Sequence, residues 1–183
     1  MEISKNLQSY KYLKYLLIII LGSILITLSA KIKIPFYPVP MTMQTFVVVM
    51  LGIVLGSKIG SATVLLYLLE GLFGLPVFSN SPEKGVGLIY FTGPTMGYLI
   101  GFLFAAYTAG KIRLDANYYD IIFKIVFSVL IIYCLGMLWL GNLIGWDKPV
   151  FNLGAKPFLL AELLKITILI LSAKFLLKFR KFI

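Results

Sequence analysis

The run PFLLAELLKITILILSAKFLL, residues 157–177, is apolar enough to cross a membrane, yet Glu162 and Lys165 sit near its start. A bilayer core of roughly 30 Å takes about 20 apolar residues per helical span. An ionisable residue at that depth costs on the order of 3 kcal/mol on insertion scales. Two of opposite sign, three apart on a helix, lie on one face and can partner each other. That face should look into protein or a water-filled cavity rather than into lipid.

The rest of the chain supplies the surroundings. Of its 183 residues 60% are apolar, and only 13% are charged, against about 25% in ordinary soluble domains. Mean hydropathy is +0.98. Six apolar runs, at about 12–30, 41–56, 58–75, 91–110, 119–141 and 157–177, read as spans of a single all-α, polytopic membrane domain. The runs are continuous rather than alternating, which selects helices over a barrel. Lys5, Lys11 and Lys14 lie before or at the very start of the first run. It ends Leu28-Ser29-Ala30, and a processing site wants a small residue where Leu28 stands, so it reads as a retained span.

Six spans put both termini on one side. With that side cytoplasmic, eleven basic residues lie inside, five outside, and Lys165 in the membrane. This is the positive-inside bias. It explains the net charge of +10 without nucleic acid. The loops after spans 1, 3 and 5 then face outward, and Glu162 and Glu70 fall in the outer half.

Chemistry of the usual kinds is missing from the pattern. There is no His, and the lone Cys134 lies within an apolar run. No phosphate-binding loop, nucleophile elbow, zinc motif or dinucleotide fingerprint occurs. Glu70 and Glu162 have no nucleophile or metal ligand beside them in the sequence, so no enzymatic role is read. A binding site accounts better for the pair. Glu162 and Lys165 offer an acceptor and a donor at fixed spacing, the outer loop at 34–40 carries three prolines with Phe36 and Tyr37, and Gln44 opens span 2. Such walls suit a small ligand with an apolar ring and a polar rim. The alternative for Glu162–Lys165 is a purely structural ion pair. For Gln44 it is an interfacial polar residue, and for the aromatics an interfacial belt. Gly93, Gly97 and Gly101, followed by Ala105, are spaced for close helix packing, as are Ser23 and Thr27.

Several segments resemble the signature of the BioY family, the biotin-binding S-components of energy-coupling-factor transporters. They are IPFYPVPMTMQTF at 34–46, GLPVF at 74–78, SPEKG at 81–85, GPTMGY at 93–98, YCLGMLWL at 133–140 and PFLLAELLK at 157–165. Together they cover about residues 20 to 175 in one order. The resemblance implies six helices around an outward-facing biotin pocket closed by the loop after span 1. It implies biotin contacts from Glu162, Lys165, Gln44, Asn80, Tyr37 and Tyr98, with biotin a transported ligand rather than a cofactor. It also implies a place in the bacterial cytoplasmic (inner) membrane, beside a transmembrane coupling subunit and two ATPases, the former meeting Ser23 and Thr27. Four departures stand out: Glu162 where the family has Asp, Ala161 and Met96 where it has Gly, and Glu70 where an apolar residue is usual. Ser23 and Thr27 also replace two alanines, so coupling to a partner rests on less than biotin binding does. A different vitamin, or a structural subunit with no ligand, are the competing functions.

Overall fold

The computed structural model describes the backbone at residues 2–36 and 41–183 and side chains from residue 10 onward, apart from 37–40. Seven α-helices run in the order α1 Glu2–Lys31, α2 Gln44–Leu72, α3 Leu88–Phe91, α4 Met96–Gly110, α5 Tyr118–Ile144, α6 Val150–Gly154 and α7 Leu159–Phe179. Between α1 and α2, β1 Lys33–Ile34 and β2 Met41–Thr42 pair antiparallel, with Lys33 opposite Thr42. The second apolar run therefore becomes helical at Gln44, because Met41 and Thr42 are taken up by this ribbon.

Gly56 divides α2. Its φ of 80° and ψ of 170° lie in a region essentially closed to residues with a Cβ. The chain folds back there, so that Gly60 approaches Gly52 across the bend. The junction between the expected spans 41–56 and 58–75 is thus a hairpin between two helical arms. On the other arm of the fold, α4 begins at Met96 rather than 91. The Gly93-Pro94 step breaks the helix, since a residue before proline avoids the α region, and 88–91 form the separate short α3. Asn117 caps α5, its side chain accepting from the Asp120 backbone N–H at 2.8 Å.

The second element of the packing is close approach. α2 lies on α1 and α4, α4 on α5, and α7 closes the bundle against α2 and α5. Gly101 permits the α4–α5 contact: a Cβ there would stand 2.7 Å from Ile132 Cα. The small-residue spacing of α4 therefore serves internal packing. Gly93 lies outside the helix, where its carbonyl accepts from Trp139 Nε1 at 2.9 Å.

Among the described residues, Tyr10–Lys31 and Tyr118–Ile144 are each long and apolar enough to cross a membrane, and the apolar stretch Gln44–Leu72 is folded at Gly56 into two arms. Large apolar side chains are exposed along them, among them Leu17, Leu21, Ile24, Phe123 and Leu130. A belt of this extent suits lipid rather than water. The chain is a multi-pass membrane protein. Near its two ends, Lys14 Nζ donates to the Phe182 carbonyl at 2.6 Å. Arg180 donates to the carbonyls of Ile53 at 2.9 Å and Ile112 at 2.6 Å. It thereby satisfies acceptors that the ends of the first α2 arm and α4 leave open.

Candidate functional site: a polar-floored cavity between α2, α4, α5 and α7

A cavity of about 610 Å³ opens between the bundle and its connecting loops. That volume falls in the range of small-molecule pockets. Its floor is built by α7 and the start of α2. Lys165 Nζ lies 2.8 Å from Glu162 Oε1, and both side chains are almost wholly buried. Thr45 Oγ1 joins them, accepting from Lys165 at 3.0 Å and lying 2.9 Å from Glu162 Oε1. A carboxylate has about four acceptor positions and an ammonium three donors. The triad uses only part of these, so further hydrogen-bonding capacity faces the cavity.

Gln44 is one residue before Thr45 and so points roughly 100° away around the helix. Its Nε2 donates to Tyr67 Oη at 2.6 Å, and the Tyr67 hydroxyl in turn donates to the Val77 carbonyl at 3.4 Å. This fixes the amide with Oε1 left over as an acceptor on the cavity wall. Tyr98 also lines the wall, but its hydroxyl donates to the Gly154 carbonyl at 2.8 Å and holds α6 over the cavity. The Tyr98 and Tyr133 rings meet edge-on, 5.8 Å between centroids. Asn80 reaches the wall from the loop between α2 and α3.

Five of the residues expected from the sequence thus line one cavity: Gln44, Asn80, Tyr98, Glu162 and Lys165. Tyr37 lies outside the described residues. Ser23 does not lie where its expected partner-facing role requires. It is fully buried, and its hydroxyl donates to the Glu70 carboxylate on α2. A carboxylate packed between apolar helices needs a donor, and Ser23 turns inward to supply it. Thr27, one turn on, is half-buried.

A model of the BioY family matches residues 3–182. The chain belongs to the BioY family. Among the relatives of this BioY chain, the probable biotin transporter BioY of Pyrococcus horikoshii is 34% identical over 150 residues, 82% of this chain and 88% of its own length. The biotin transporter BioY of Thermotoga maritima is 37% identical over 150 residues, 81% and 87% of the two lengths. The crystal structure of the S-component for biotin from an ECF-type ABC transporter shares the fold with a TM-score of 0.74. It is 25% identical and covers 92% of this chain and 93% of that one.

The wall of this BioY chain also includes residues not singled out from its sequence, among them Lys33, Thr45, Lys84 and Tyr133. Thr45 carried a signal in its place beside Gln44 at the head of an apolar run, and Tyr133 in its place within an apolar span. Lys33 sits on the two-residue β1 and Lys84 in a loop, where composition does not separate a cavity wall from open surface.

Proposed function

We propose that this BioY chain is the membrane-embedded biotin-binding component of a biotin uptake transporter, taking biotin at the outer face without converting it. The observation that carries this reading is the partly satisfied Glu162–Lys165–Thr45 triad at the base of a cavity with aromatic walls. A ureido group has two N–H donors and one carbonyl acceptor. Glu162 can accept the former, Lys165 can donate to the latter, and such charge-assisted bonds are roughly twice as strong as neutral ones. Gln44 Oε1 adds an acceptor, and Asn80, Tyr98 and Tyr37 complete the set we assign to biotin.

We place the chain in the cytoplasmic membrane with six crossings: α1, the two arms of α2, α4, α5 and α7. Both termini are then cytoplasmic. The Lys14–Phe182 contact between the chain's ends supports an even number of crossings, and the excess of Lys and Arg at that end supports the orientation. With no nucleotide motif of its own, the chain would draw on a transmembrane coupling subunit and two ATPases. A partner surface on α1 would use its outward apolar face, with Thr27 at its margin, rather than Ser23.

Equilibrium binding of radiolabelled biotin to the purified chain, against a panel of other vitamins, tests the reading. Saturable, selective biotin binding is expected. Preference for another vitamin, or no ligand at all, would replace it with one of the competing functions.

A further inference from the structure

Among the described residues Tyr67 is the largest side chain that is fully buried, and its hydroxyl is obliged by that burial to find partners. It lies one layer behind Gln44 and is not itself part of the cavity wall. A phenol has one proton to donate. Tyr67 gives it to the Val77 carbonyl at 3.4 Å, and among the described residues no other donor reaches that carbonyl. Its Oη can therefore only accept from Gln44, which turns Nε2 toward it at 2.6 Å. The reversed amide would draw the Tyr67 proton to Gln44 and leave the buried Val77 carbonyl without a donor, which is costly for an acceptor out of water. The ring that carries the hydroxyl has no room to move. It meets Phe78 edge-on, 5.3 Å between centroids, and Phe78 fills the space over Gly71, where a Cβ would overlap its ring. Beside Gln44, Thr45 is held by Glu162 and Lys165. The head of α2 is thus pinned, and Tyr67 settles which end of the amide turns to the cavity.

We infer that Tyr67 is a positioning residue for ligand binding: its hydroxyl holds the Gln44 amide with Oε1 toward the cavity, so that this part of the wall accepts a hydrogen bond and does not donate one. The inference rests on the biotin reading, in which the ligand brings N–H donors, and it adds a residue that touches no ligand. With the hydroxyl removed, the orientation that suits the ligand would leave the Gln44 Nε2 hydrogens facing an apolar ring with no acceptor. The amide would then turn Nε2 to the cavity, and binding would draw only on the fraction that has turned back. Support of this kind, from a group behind the contacting residue, holds a recognition geometry in place before the ligand arrives.

A double-mutant cycle tests this, with equilibrium binding of biotin to the full-length protein as wild type, Tyr67→Phe, Gln44→Met and the double variant. Tyr67→Phe keeps the ring that packs on Phe78, and Gln44→Met keeps the length of the side chain. Gln44→Leu serves as a second background should the Met variant fold poorly. Tyr67→Phe should weaken binding by about tenfold, the scale of one hydrogen bond. In either Gln44 background the same change should cost no further affinity, because no amide is left to position. Melting temperatures of the same proteins give the contrast. The Val77 carbonyl loses its donor in every background, so the loss of stability from Tyr67→Phe should persist where the loss of affinity does not. Unchanged affinity in Tyr67→Phe overturns the positioning role. So does an equal loss with and without Gln44, which would mark Tyr67 as a residue of the fold alone. A wild type that binds no biotin overturns the biotin reading, and the positioning role with it.

Discussion

The Lys31 ammonium, at the end of α1, donates to the Ser81 carbonyl at 2.6 Å and to the Phe78 carbonyl at 2.8 Å. These two carbonyls bracket Ser79 and Asn80, which line the cavity. One side chain thus fixes the ends of a wall segment from outside the cavity. Phe78 anchors the same segment from within, stacked on Tyr90 at 4.6 Å between centroids. Replacing Lys31 by Ala should weaken biotin binding by about tenfold, as expected for lost charge-assisted hydrogen bonds of about 1.5–3 kcal/mol that are partly replaced by water. Lys31→Arg should recover part of the affinity. Binding isotherms for the three proteins check this, with melting temperatures to separate a local from a global effect.

The floor triad separates structure from recognition. Removing one member of a buried pair leaves an uncompensated charge and costs about 3–5 kcal/mol. Glu162→Leu or Lys165→Met alone should therefore lower the melting temperature sharply. The double variant Glu162→Leu/Lys165→Met should melt close to wild type, because an apolar replacement of both partners is often neutral or stabilising. It should still fail to bind biotin. A double variant that binds normally would mark the pair as an ion pair of the fold alone.

The resemblance to the family's pattern implies Asp at the position of Glu162. Shortening it to Asp moves the carboxylate one methylene away from Thr45 and Lys165, which it meets at 2.9 Å and 2.8 Å. The Glu162→Asp variant should bind biotin more weakly than wild type, by about one order of magnitude, for want of one charged hydrogen bond. Competition with unlabelled biotin measures it. An unchanged affinity would mean that the floor readjusts to the shorter side chain.

The α4–α5 seam should tolerate little. Gly101→Ala places a methyl 2.7 Å from Ile132 Cα, and overpacking of this sort costs about 1–3 kcal/mol. Tyr98 and Tyr133 ride on the same two helices, so ligand affinity should fall together with thermal stability. Differential scanning fluorimetry with and without biotin reads both.

At the opposite end of the bundle, Arg180 bonds the carbonyls of Ile53 and Ile112 from one planar guanidinium. Burial lowers its pKa from the ordinary arginine value, yet it stays charged at any physiological pH. Arg180→Lys keeps the charge but not the fork. It should destabilise the protein, less than Arg180→Ala does, with no change in biotin affinity for whatever fraction is folded. A melting curve paired with a binding isotherm on the same sample distinguishes the two.

How much of this was legible in the sequence depended on whether a residue's type conflicted with its neighbourhood. Glu162 and Lys165 were visible because charge in an apolar run is expensive and needs an explanation. The break at Gly56 and the tight spacing of Gly97 and Gly101 were visible because a residue without a side chain inside a span signals a bend or a contact. Helix starts at Gln44 and Met96 were misplaced by a few residues because Met41–Thr42 and Phe91 are as apolar as the spans they adjoin. Thr45 was missed because a threonine near a helix start fits capping, packing and binding equally well.

By itself the sequence determined that the chain is a helical membrane protein, where its helices bend, and that Glu162 and Lys165 can pair within an apolar run. Those properties follow from composition and spacing, which act locally. Only the tertiary structure decided that Thr45 completes the floor and that Ser23 turns inward to Glu70 rather than outward to a partner. It also decided that Lys33 and Lys84 line one cavity. Each of these depends on which distant side chain meets which, and a hydroxyl or an ammonium carries no mark of its partner until packing supplies one.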